Sequence, residues 1–123
     1  MEMLTVSSHA HGVFTVVTLA GELDLSTAPL VEQKVLSSSE SHPHLVFDMS
    51  GITFMDSIGV RVMVKAHAHV RKFGGTIALA GLTGNPLRVL TITGLHTRLA
   101  LFVTLDEALT TAPATPNATP DVV

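Results

Sequence analysis

The segment Phe54-Met55-Asp56-Ser57-Ile58-Gly59 joins an apolar run, Leu45-Val46-Phe47-Asp48-Met49, to a stretch of helical periodicity that continues to about Phe73. It therefore places an Asp and a Ser where a strand hands over to a helix. The first backbone N–H groups of a helix have no intrahelical partner, and the helix dipole is positive there. A carboxylate, a hydroxyl or an added phosphate is well placed at such a point. Asp56 and Ser57 read locally as helix caps, and beyond that as a polar contact site. Asp24 and Thr27, behind Gly21-Glu22-Leu23, carry a similar double reading as a turn acid and a cap.

Other chemistry-bearing residues point to less. Arg61, Lys65, His69 and Lys72 recur at helical steps and make a basic stripe, the ordinary solvated side of an amphipathic helix. The stripe could dock an acidic partner, but it is short and lacks interleaved aromatics, which argues against nucleic acid. His9/His11, His42/His44 and His67/His69 are His-x-His pairs. A strand would put such a pair on one face, whereas a helix turns i and i+2 apart. The pairs outside the helix are expected in loops without a third ligand, so the expectation is surface histidines and no metal. Gly81-Leu82-Thr83-Gly84-Asn85 lacks the Lys and the spacing of a phosphate-binding loop and reads as a turn. No nucleophile elbow, dinucleotide fingerprint or His-Glu zinc motif occurs, and the expectation is a protein that is not an enzyme.

Composition narrows the class. A chain of 123 residues, 46% hydrophobic and 14% charged, can bury an ordinary core and fits one domain. A net charge of −3 gives no global attraction to nucleic acid or anionic membrane. With no Cys, disulfides, thiolate catalysis and Cys-based zinc sites are excluded. Met1 to Ser8 lack a basic and then apolar leader pattern, and no apolar run approaches the roughly 20 residues of a membrane span. A cytoplasmic location without membrane insertion is the expectation.

Elements follow from spacing and punctuation. Leu4–Ser8 and Val13–Leu19 read as strands, with the turn over His9-Ala10-His11-Gly12. Gly21 to Asp24 breaks the pattern. Ser26 or Thr27 caps a helix with Pro29 in its first turn, and Pro43 follows its end. Leu45–Met49 is apolar enough for a central strand. Gly59, Val62, Met63, Ala66, Val70 and Phe73 make the apolar face of the next helix, which Gly74-Gly75 stops. Thr76–Ala80 is a strand. Asn85-Pro86 caps and opens a third helix that Gly94 closes. Leu99–Val103 is a short strand and Leu105–Leu109 a short helix. The order is β-β-α-β-α-β-α-β-α, an α/β fold with a small mixed sheet and helices mainly on one face. Residues 1–111 form the domain. Residues 112–123, rich in Ala, Thr and Pro, are expected to be a disordered tail.

These segments together resemble the STAS domain family. The likeness is carried by Leu19-Ala20-Gly21-Glu22-Leu23-Asp24, the helix behind Thr27, Val46-Phe47-Asp48-Met49-Ser50 and above all Phe54 to Gly59, over roughly residues 4 to 110. Bacterial anti-sigma factor antagonists are the members most like it. The resemblance implies a partner-switching protein that binds an anti-sigma factor, often a serine kinase, and so frees a sigma factor, with no cofactor. It places Asp24, Thr27, Asp56, Ser57, Ile58, Gly59 and Arg61 at the partner surface, and allows weak self-association. In the family the motif is usually Asp-Ser-Ser-Gly or Asp-Ser-Thr-Gly, and the second hydroxyl takes the phosphate. Here that position is Ile58, which has no hydroxyl. The expectation is a domain held in an unphosphorylated-like form; the other reading makes Ser57 the acceptor. A non-kinase role, as a STAS subunit of a lipid-transport ABC assembly or a stress-signalling scaffold, is the alternative.

Overall fold

The computed structural model describes residues 3–39 and 42–111. The expected tail lies outside the described residues. Five strands and four helices alternate as expected: β1 (Leu4–His11), β2 (Phe14–Leu23), α1 (Ala28–Ser38), β3 (His44–Met55), α2 (Ser57–Arg71), β4 (Ile77–Ala80), α3 (Gly84–Ile92), a short 3-10 turn, β5 (Ala100–Phe102) and α4 (Leu105–Thr111). The sheet order follows the chain, β1-β2-β3-β4-β5. Only β1 and β2 are antiparallel.

Topology explains the layering. Each parallel step moves one strand in the same direction, and right-handed crossovers then drop α1, α2 and α3 on one face. There Val17, Leu19, Leu45, Phe47, Met49, Ile77 and Leu79 meet Val31, Val35, Val62, Met63, Ala66, Val70 and Leu90 in the main core. Each large apolar side chain buried here contributes roughly 1.5–3 kcal/mol of transfer free energy. After β5, the last strand among the described residues, α4 folds onto the opposite face. Its Ala108, with Leu105 and Leu109, covers Phe14, Val46, Ala78 and Ala80.

Two strands run further than their sequence pattern indicates. β2 continues to Leu23 and β3 to Met55, pairing throughout with register shifts between Thr18 and Ala20 and between Gly21 and Glu22. Gly21 has φ 119°, a backbone conformation that favours Gly, and a Cβ there would lie 2.2 Å from Met3 O. Irregular pairing of this kind bends a ladder without ending it. Glycines that read as breakers in the sequence are thus bends inside continuous strands. The hairpin turn also shifts: His9 to His11 belong to β1, and Gly12-Val13 alone joins His11 to its partner Phe14. On α2, five of the expected apolar residues are buried, but Phe73 lies beyond the helix end and is exposed.

Candidate functional site

Because β2 and β3 are parallel, Leu23 pairs with Met55, and the loops that follow them emerge side by side at one rim. After Met55 the chain turns at Asp56, the N-cap of α2. Its carboxylate accepts from Ile58 N at 2.9 Å, and its carbonyl accepts from Gly59 N at 3.0 Å. Ser57 opens the helix and is exposed, Asp56 and Ile58 are half-buried, and Gly59 is buried. Ile58 leans on the main core while keeping an outer surface. Gly59 was expected among the partner-contacting residues, but it faces inward. A Cβ there would lie 2.2 Å from Met55 Cγ and 3.2 Å from Leu23 Cδ2. Its lack of a side chain lets α2 start directly over the β2–β3 ends.

The neighbouring loop is held by Asp24. Its carboxylate accepts from Ser26 Oγ at 2.8 Å, Ser26 N at 3.0 Å and Thr27 N at 3.2 Å. These bonds, the Ser26 hydroxyl foremost, favour the ionised form and lower its pKa despite some desolvation. Thr27 was expected to cap α1 and to meet a partner. It occupies the N-cap position but makes no side-chain cap bond, and it is 1% exposed. Its hydroxyl instead donates to Glu22 O at 2.8 Å and accepts from Asp24 N at 3.0 Å. Thr27 therefore fastens the loop from inside, and the outer surface belongs to Asp24, Leu25 and Ser26.

Arg61 is exposed one helical turn beyond Ser57, on the same side of α2. The rest of the basic stripe divides. Lys65 pairs with Glu32 of α1 at 3.2 Å, and Lys72 is exposed. His69 is half-buried, with Nε2 enclosed and its ring edge-on to Phe73 at 5.4 Å, so it is no part of a solvated face.

Three rim residues escaped the sequence-level site. Leu25 is 71% exposed in the Asp24 loop, and Phe54 is 40% exposed at the end of β3. An apolar residue inside a polar turn is the local signal that marks Leu25. Asn85 was expected to cap α3. Thr83 holds that position, and Asn85 Oδ1 accepts from Met55 N at 2.7 Å, tying the start of α3 to the rim. Nothing local marks a bond that spans thirty residues. Among the described residues no three His, Asp or Glu gather to hold a metal ion, and no helix is long and apolar enough to cross a membrane. His9 and His11, expected in a loop, share a face of β1.

The rim is thus an exposed Ser at a helix N-terminus, flanked by two turn carboxylates, an Arg and a set of outward apolar side chains. It offers a binding surface with charge and apolar area together. A STAS domain model matches residues 5–108. The anti-sigma-B factor antagonist of Bacillus subtilis is 34% identical over 79 residues, 64% of this chain and 72% of that protein. The anti-sigma-F factor antagonist RsfB of Mycobacterium tuberculosis is 30% identical over 113 residues, 89% of either chain. The crystal structure of an anti-sigma factor antagonist from Mycobacterium paratuberculosis superposes with a TM-score of 0.75 at 30% identity, over 87% of this chain and 92% of that one.

Proposed function

The chain belongs to the STAS domain family, and from that premise we propose that it is an anti-sigma factor antagonist whose rim docks an anti-sigma factor of the serine-kinase type and thereby releases a sigma factor. The observation that carries this reading is the accessible start of α2, with Ser57 exposed, Asp56 and Ile58 half-exposed and Asp24, Leu25, Phe54 and Arg61 around them. The names of the relatives in Bacillus and Mycobacterium support it. Binding to a regulator needs no catalytic constellation and no cofactor, and its setting is the cytoplasm.

In this reading the phosphorylation switch is absent. Ile58 stands where the family's acceptor hydroxyl would be, and it adds apolar contact at the docking surface. Ser57 is a poor substitute. One residue along a helix rotates the side chain by about 100°, away from a kinase site built for the next position. The test is calorimetric binding to each anti-sigma kinase encoded alongside this protein, followed by incubation with ATP and phosphopeptide mass spectrometry. Binding without label is expected for the native protein. Ile58→Ser should gain label at residue 58, and the added charge of about −1.5 to −2 should then release the complex. Failure to bind any such kinase overturns the docking reading; label on Ser57 of the native protein overturns the lost switch.

The same isoleucine favours one other role, a STAS subunit of a lipid-transport ABC assembly or a stress-signalling scaffold, since neither needs a phosphate cycle. Recovery of an ATP-binding cassette protein in place of a kinase would select it.

A further inference from the structure

Among the described residues β1 is an edge strand, and its eight residues, Leu4-Thr5-Val6-Ser7-Ser8-His9-Ala10-His11, include no Lys, Arg, Asp, Glu or Pro. Edge strands are ordinarily guarded by such residues or by bulges, because an open row of N–H and C=O groups pairs readily with another strand. β1 pairs with β2 without a register shift, so its other side is a straight, uncharged template. Beside it runs a groove of about 410 Å³ lined by Leu4, Val6, Leu30, Gln33, Lys34 and Ser37. Leu30, Gln33, Lys34 and Ser37 fall at i, i+3, i+4 and i+7 on α1, a single helical stripe. Leu30 is exposed on that stripe.

We propose that this edge is the interface of a homodimer, formed by antiparallel pairing of β1 with β1 of a second copy to give one continuous sheet. The spacing of the layers selects this occupant. α1 packs over β1 and β2. Across a two-fold axis at the β1 edge, the two α1 helices stand two strand spacings apart, roughly 10 Å at about 4.8 Å per strand. Helices pack at about 8–10 Å, so strand pairing brings the two stripes into contact at the same time. Charge fits as well. Antiparallel crossing at the middle of the stripe sets each Leu30 toward the partner's Ser37 and each Lys34 toward the partner's Gln33. A neutral amide oxygen can accept from the ammonium, and no like charges meet. The interface is isologous and closes after two copies. It lies along the side of the sheet, while the docking rim caps the ends of β2 and β3, so neither proposal depends on the other.

Sedimentation velocity on the full chain, from micromolar to millimolar, tests the proposal. A reversible monomer–dimer equilibrium is expected. Ser7→Lys and Leu30→Glu alter exposed positions on the strand and on the helix stripe. Each should raise the dissociation constant by at least about tenfold, with the circular dichroism spectrum and melting temperature of the monomer preserved. A protein that stays monomeric at millimolar concentration overturns the proposal. So does a dimer that survives both substitutions.

Discussion

Gly59 shows how a residue can shape the proposed docking surface without lying on it. The hydrogen that stands in for its side chain faces Met55 at a distance no methyl group could share. Gly59→Ala must push the start of α2 off the sheet or force Met55 out of its rotamer, an overpacking cost of about 1–3 kcal/mol. Chemical denaturation should register that loss, and affinity for the anti-sigma partner should fall with it, because Ser57 and Ile58 ride on the displaced turn. Asp24 makes a different prediction. Its folded pKa is depressed, so its contribution to stability is present above the unfolded value and is lost as pH falls through the folded one. Asp24→Asn should therefore narrow the gap between stability at neutral pH and stability below about pH 4, measured as denaturation midpoints at both pH values. The Asp56 cap at the start of α2 is legible in the sequence because cap chemistry is local. Thr27 reads as surface in the sequence yet is buried, because burial depends on what crosses above it, whereas Gly59 is buried as its place on the apolar face of α2 implies.

Elements with one dominant periodicity could be read directly. The Leu45–Met49 run, the apolar face of α2 and the Gly74-Gly75 stop all follow from neighbours a few residues apart; Gly75 N donates to Val70 O at 2.8 Å, closing the helix as its position implies. The second half of β3 could not be read, because Ser50 and Gly51 look like a turn in isolation, and the pairing of Gly51 and Ile52 comes from Ala20 and Gly21 on another strand. Thr15 is a further case: its hydroxyl lies 2.7 Å from His42 O and 3.2 Å from Ser38 O, fastening the end of α1 to the sheet across more than twenty residues. Asn85 performs the same service at the rim. Asn85→Ala removes the acceptor for Met55 N and should cost about 1–3 kcal/mol, since that donor is left without its partner. Equilibrium unfolding measures the cost. Faster amide exchange confined to Met55 and the first turn of α2 would identify its origin.

In the folded molecule as a whole, two histidines, His44 and His67, are held below their ordinary pKa and contribute to the response to mild acid. His44 is lowered by burial. His67 is lowered by burial first, then by the positive charges of Arg71 and Arg98. A group with a depressed folded pKa that is charged when protonated binds more protons unfolded than folded below about pH 6.5, so stability rises with pH through that window and levels off above it. Urea midpoints at pH 5.5 and 7.5 should differ, and the pair His44→Gln with His67→Gln should bring them closer together. The general architecture was accessible from the chain alone, since right-handed crossovers leave little freedom once the order of strands and helices is known. The placement of α4 on the far side follows from the sheet ending at β5, which no spacing in the sequence announces. One consequence reaches past stability. The rim proposed to meet another protein stands on the two longest strands among the described residues, with Asp24, Thr27, Asp56 and Asn85 each clamping a loop of it. Recognition then begins from a shape already cut, so little chain entropy is surrendered on contact and the encounter should be limited by diffusion and orientation rather than by rearrangement.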